Sequence, residues 1–381
     1  MDFSLTEEQI NFKKSVVKFA QRELNSSVSD LEQNGEFSWD GWRKCANFGI
    51  QGLPIPSKYE GVGEDIQTCL LAMEGLGYAC NDSGLLFAIN SHIWTCEIPI
   101  LDFGTDEQKD KYLPALCKGE LIGGHAMTEA DSGSDAFSLN TRALRKGDRY
   151  ILNGTKMFVS NAPIADILLV FAITDKTKGF AGISAFIVET NYAGFSVGKP
   201  LDKMGLRTSP TGEVILQDCE VPIENRLGNE GAGSAIFNSE MEWERSCLFA
   251  CHLGAMERQL EACVKYARER RQFGKPIGKF QSISNKIADM KVRIELSRLI
   301  LHKVAWMKAQ GKKAPLEAAI AKLYVSESYV TSSLDSIQIH GAYGYMKEFG
   351  IERDLRDSMA GKIYSGTSEI QRNIIASWLG L

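Results

Sequence analysis

The chain has 381 residues, 44% hydrophobic and 24% charged, the balance of a folded globular protein rather than a disordered one. Its net charge of −5 comes from interspersed signs without a long basic stripe, which argues against nucleic acid as a partner and for a small-molecule or protein-borne substrate. The first segment is acidic and amphipathic, not the basic start and apolar core of a signal peptide, and no stretch approaches the ~18 consecutive apolar residues of a membrane span, so a soluble cytoplasmic protein is expected.

From Thr6 to about Lys118 apolar residues recur at three and four, as in Ile10, Val17 and Phe19, which predicts a helical block with a capping box at Ser4 to Glu7. From about Glu120 to Gly228 the pattern becomes short β-rich runs divided by turn residues, such as RYILNGTKMFVSN and ILLVFAIT. From Gly231 onward long helical periodicity returns. The order predicts an α+β fold: an N-terminal helical domain over 1–119, a β-barrel-like middle domain over 120–230, and a C-terminal four-helix bundle over 231–381. The nine cysteines form no CxxC pair and meet no matched histidines, so they read as buried free thiols in a reducing compartment, and no metal is assigned.

Several segments carry chemistry on their own terms. HAMTEADSGSD, at 125–135, ends a strand in a Ser/Gly-rich loop whose amides and hydroxyls suit a polar ligand edge. In KMFVSN, at 156–161, strand alternation puts Phe158 and Ser160 on one face, one able to stack and the other to hydrogen-bond. RERRQFGKPIGKFQ, at 268–281, gathers guanidinium groups at a helix end, where they complement the macrodipole and could also grip a pyrophosphate. No GxGxxG follows a strand to suggest a Rossmann site.

Together with QIHGAYGY at 338–345 and IYSGTSEIQR at 363–372, these segments resemble, in order and nearly end to end, the signature segments of the acyl-CoA dehydrogenases. The resemblance implies FAD and a homotetramer built as a dimer of dimers. Carried over residue by residue, it sets Met127 and Thr128 against the isoalloxazine, with His125 on the same strand, Phe158 flanking the ring and Ser160 beside it. Ser134 would lie near the thioester arm as well as the cofactor. Arg270, Gln272, Phe273 and Gln281 would reach the FAD of a neighbouring subunit. Gln338, Gly341 and Ala342 would lie along its ADP half, and Thr367 and Glu369 would approach from the first subunit.

One departure matters. Where many relatives carry the catalytic Glu in IYxGTSxIQR, this chain has Ser365, which has no carboxylate to take a proton. A branch of the family places its base on the helix that corresponds to 231–271, immediately before an Arg; here that dipeptide is Glu244-Arg245. Helical spacing makes Glu240 and Glu244 neighbours and puts Glu242 on the opposite side, although an exposed charged face is the ordinary reading of all three. The resemblance therefore implies Glu244 as base, the Ser365 backbone N–H as donor to the thioester carbonyl, and Arg245 and Tyr364 as residues ordering the substrate. Within the family the sequence looks most similar to the branch that oxidises a prolyl group tethered by phosphopantetheine to a carrier protein. It implies oxygen as electron acceptor, favoured further by a protonated His125 near the ring. The alternatives are a short branched-chain acyl-CoA dehydrogenase and a noncatalytic flavoprotein-like scaffold.

Overall fold

Thr6 opens the first helix, Glu7–Glu23, in the computed structural model, which describes residues 4–381. The Thr6 hydroxyl accepts the Gln9 N–H and the Gln9 side chain accepts the Thr6 N–H, a capping box that satisfies two otherwise unpaired amides. The box expected at Ser4 to Glu7 thus lies two residues further on, because Thr6 is the last extended residue before the helix. Helices continue to Asp106–Cys117. Among them the run Ser83–Phe103 is long and apolar enough to cross a membrane by length and composition, but 89% of its apolar window is buried in the protein. A π-turn at Ile93–Glu97 interrupts it.

Strands follow: β1 Gly123–Ala126, β2 Arg142–Lys146, β3 Arg149–Ser160, β4 Ile167–Ile173, β5 Ile183–Glu189, β6 Phe195–Val197, β7 Thr211–Pro222 and β8 Arg226–Leu227. They form one sheet in the order β6-β7-β3-β2-β4-β5-β8, with β1 parallel to β4. Strand β4 is apolar on both faces for a reason visible in its contacts. Ile167, Leu169 and Phe171 join a core shared with the helices, while Leu168, Val170 and Ala172 join a second core beneath the other strands. The alternation that follows places His125 and Met127 toward the helices and Ala126 toward the second core.

The C-terminal helices are Gly233–Trp243, running through a π-turn at Glu244–Leu248 into Phe249–Glu269, then Gln281–Ala309, Pro315–His340, Ile351–Ala360 and Ser368–Trp378. The N-terminal helix Ile66–Ala79 meets Phe249–Glu269 with almost no space between backbones. A Cβ on Gly77 would lie 2.0 Å from the Cys251 carbonyl oxygen, and one on Gly254 would lie 2.0 Å from that of Glu74. Buried Glu74 is held nearby by Arg298 at 2.8 Å and Lys13 at 2.9 Å. This contact fixes the N-terminal helices against the helix that carries Glu244. All nine cysteines are buried and unpaired.

Candidate active site

The sequence Glu240-Met-Glu-Trp-Glu244 divides its carboxylates between two sides of one helix. Glu242 turns away, toward Lys308 Nζ at 3.4 Å and the Ala314 N–H at 3.1 Å. Glu240 and Glu244 turn inward and are buried. Glu244 begins the π-turn, whose extra residue breaks the 3.6-residue period and re-aims the side chains that follow. Trp243, just before it, stacks parallel on Trp94 of the other π-turn, with centroids 5.8 Å apart and planes 6° from parallel. Two helix irregularities therefore pack against one another beside Glu244.

Glu244 is only 7% exposed, and its Oε2 has no hydrogen-bond partner. A carboxylate oxygen so placed has no structural duty. Arg245 donates through Nε to the Ser365 carbonyl at 3.0 Å, and Gln371 donates to the Ser365 and Gly366 carbonyls at 3.1 and 2.9 Å. Ser365 and Gly366 both lie in the left-handed region, φ 55° and 84°, so this turn is strained at a non-glycine position and pinned from two sides. With its carbonyl taken, Ser365 keeps a backbone N–H that makes no hydrogen bond among the described residues. Its Oγ is buried and also unpaired. Burial lowers the Arg245 pKa to about 10, against the support of Glu244 and Glu242, which leaves the guanidinium charged at neutral pH.

Below Glu244, the residues Leu248, Cys251, His252 and Ala255 continue one helix face and line a cavity closed by Phe87 and Tyr364. Ser83, Asn90, Tyr329 and Asp357 also border it, so polar groups interrupt a mostly apolar wall. Tyr364 and His252 share a hydrogen bond of 2.8 Å, and burial, with Lys322 adding repulsion, lowers the His252 pKa to about 3 and keeps the ring neutral. Lys322 is fully buried, and its Nζ has no hydrogen-bond partner.

The cofactor candidates fall into two separate groups. Phe158 sits at a bulge of β3 with φ 56° and is 63% exposed, so it is available as an aromatic platform. It and Ser160 both avoid the core, but because of the bulge and not through the regular alternation expected. Met127 is buried, which withholds its side chain from any ligand, and half-buried Thr128 lies next to it. Ser134 lies exposed in the following loop. Thr367 caps the last helix by accepting the Ile370 N–H, and Glu369 is exposed.

The second group lies elsewhere. Arg271–Gln272 pairs with Lys275–Pro276 in a small hairpin whose tip, Phe273 and Gly274, has both φ positive; Phe273 is 92% exposed. Lys286 pairs with Asp335 at 2.7 Å, which brings Gln281 and Gln338 to the same end of the bundle as Arg270, with exposed Gly341 and Ala342 beyond. Glu244 is at the other end, where its neighbour Glu242 contacts Lys308. Across the 29-residue helix Gln281–Ala309 the two ends are about 40 Å apart. In one chain these residues cannot serve the same bound molecule as Glu244.

Comparison with known proteins gives the family. The N-terminal, middle and C-terminal domains of acyl-CoA dehydrogenases match residues 6–120, 124–219 and 231–380. The chain belongs to the acyl-CoA dehydrogenase family. It is 44% identical over 382 residues to an L-prolyl-[peptidyl-carrier protein] dehydrogenase of Pseudomonas fluorescens, covering 100% of both chains. Among solved structures it is similar to the prolyl acyl carrier protein oxidase AnaB, with TM-score 0.98, 50% identity and coverage of 99% and 100%, and to PigA with FAD and proline, with TM-score 0.98, 40% identity and full coverage of both.

In this member of the family Arg245 and Ser365 are in contact, with Glu244 and Tyr364 beside them, and a carboxylate that the sequence reading did not foresee stands next to His125. Its Nδ1 lies 3.1 Å from a buried Glu240 oxygen, so any positive charge it carries is balanced there instead of standing free beside a ring. His252 and Lys322 were missed. Their one signal is a charged or polar residue set among apolar helical neighbours, as in AAIAKLYV.

Proposed function

We propose that this chain uses FAD to oxidise the L-prolyl group of a carrier-protein thioester, giving a dehydroprolyl or pyrroline-carboxyl thioester. The observation that carries the reading is the free, buried Glu244 oxygen beside a Ser365 turn that Arg245 pins with its N–H unused. A thioester carbonyl accepting that N–H has a more acidic α-hydrogen, and Glu244 takes the proton as general base. FAD, when bound, accepts the hydride that leaves the neighbouring ring atom. The substrate loses two hydrogens in all, one as the proton on Glu244 and one as hydride.

Exposed Phe158 and the half-buried Thr128 and Ser160 fit a flavin ring, as a platform with polar groups around it. Among the mostly apolar residues of the cavity, His252, Tyr364 and Asn90 offer polar partners to a nitrogen-bearing acyl group. The distance of about 40 Å between Arg270 and the base supports assembly, since Arg270, Phe273 and Gln281 would complete the FAD site of a neighbouring copy in a homotetramer. We favour oxygen as final acceptor and the reducing cytoplasm as compartment, which nine unpaired cysteines suit.

Mixing the flavin-loaded protein under nitrogen with L-prolyl-carrier protein and with a panel of acyl-CoAs tests the reading. Bleaching by the prolyl carrier, with loss of two hydrogens from its acyl group, is expected. Bleaching only by short branched acyl-CoAs would move the chain to that activity, and bleaching by none would leave a scaffold.

A further inference from the structure

Glu244 accepts one proton per turnover while nearly sealed from solvent, and a second buried acid stands directly behind it. Glu240 precedes Glu244 by one helical turn and is fully buried, and neither of its oxygens makes an aligned hydrogen bond. Carboxylates at this spacing have Cβ atoms about 5–6 Å apart, within reach of transfer directly or through one water. On its other side, Glu240 Oε1 lies 3.1 Å from His125 Nδ1, and the His125 side chain is 23% exposed whereas that of Glu240 is 0%. Glu244, Glu240 and His125 are thus successive neighbours, and exposure returns only at the imidazole.

Their ionisation suits movement of a proton from one to the next. Burial raises the Glu240 pKa to about 7, against the pull of His125 and with added repulsion from Glu244. Burial alone would lower His125, but Glu240 and then Glu244 outweigh it and hold the imidazole above its ordinary value. The other charged or titratable neighbours are Lys156 on β3, which disfavours the imidazolium, and Cys96, which senses Glu240. Glu244 faces Arg245, Lys322 and Tyr364. Among the described residues Glu240 has no lysine or arginine within ion-pair distance, so no fixed cation traps a proton hole there.

We infer that Glu240 and His125 form the exit path for the substrate's α-proton, passing it from Glu244 to Glu240, then to His125 Nδ1, and from the exposed edge of the ring to solvent. The inference rests on the proposed oxidation, because that reaction delivers the proton. No bond to carbon changes along the path, and no oxidant is needed for it. Neither residue is the group that takes the proton from substrate, so a substitution should separate proton release from the redox step.

The test is stopped-flow mixing of flavin-loaded protein with prolyl-carrier under nitrogen, in weak buffer with a pH-indicator dye, reading flavin bleaching and proton release together. In the wild type the two traces should coincide. In Glu240→Gln, and in His125→Gln, release should lag bleaching by ~10-fold or more. The ratio is the readout, so a folding defect that slows both steps equally does not imitate it, and Glu240→Asp should recover part of the coupling. Coincident traces in both variants would overturn the exit path while leaving the oxidation intact. No bleaching in the wild type would remove the oxidation and the path with it.

Discussion

Arg245 holds the carbonyl of Ser365 at 3.0 Å, so the residue that follows Glu244, the proposed base, also fixes the turn whose unused N–H is the proposed donor. Base and donor are therefore set by consecutive positions on one helix, and a small movement of the π-turn shifts both. This coupling is how the proposed site dispenses with a carboxylate at Ser365. The backbone N–H remains whatever the side chain, and the proton acceptor comes from the facing helix.

Replacing Arg245 should uncouple the two. Arg245→Gln is expected to keep FAD but slow flavin reduction by ~10- to 100-fold, because a donor displaced by even 1 Å forfeits much of its effect. Arg245→Lys should rescue little, since a lysine has no planar fork to reach the Ser365 carbonyl at the same angle. Flavin content and anaerobic reduction rate, measured on the same samples, check this. Full activity in Arg245→Gln would show that the turn stands without it.

Lys322 should weaken the fold at neutral pH. Burial, with Arg245 adding repulsion, lowers its pKa to about 7, well under its unfolded value. The folded state then binds fewer protons than the unfolded one between these values, so the cost is fully present below pH 7 and disappears as pH rises toward the unfolded pKa. Lys322→Met should raise the Tm by ~5 °C at pH 7, with the gain shrinking toward pH 10. Thermal unfolding across that range decides it. A gain that is constant with pH would mean that packing, not charge, sets the effect.

Assembly and cofactor retention should fail together. Arg270 and Phe273 are exposed at the end of the bundle remote from Glu244, so neither stabilises the chain that carries it. Arg270→Ala and Phe273→Ala should lower FAD occupancy and shift the proposed tetramer toward smaller species, with added FAD reversing both. Mass measurement over a range of FAD concentrations reads this directly. A monomer that stays flavin-saturated would contradict the shared site.

Much of this was legible in the sequence, because periodicity carries element type and because Glu240, Glu242 and Glu244 announce their two faces through spacing alone. The bulge that exposes Phe158 was not, since a residue with φ 56° leaves no mark in an alternation count. Nor was the partner of His125, which comes from a helix more than a hundred residues away. The start of the first helix was misplaced because Ser4 and Thr6 offer the same chemistry, and only the chain's extended geometry at Thr6 chooses between them.

The central claim is that Glu244 is the base, and anaerobic flavin reduction by prolyl-carrier in Glu244→Gln tests it most directly. The variant should retain FAD and the wild-type oligomer yet reduce flavin at least ~100-fold more slowly, as removal of a general base requires. Adding Ser365→Glu to it should restore little, because the strained turn there is shaped around a serine. Near-normal reduction in Glu244→Gln, with its flavin content unchanged, would contradict the account.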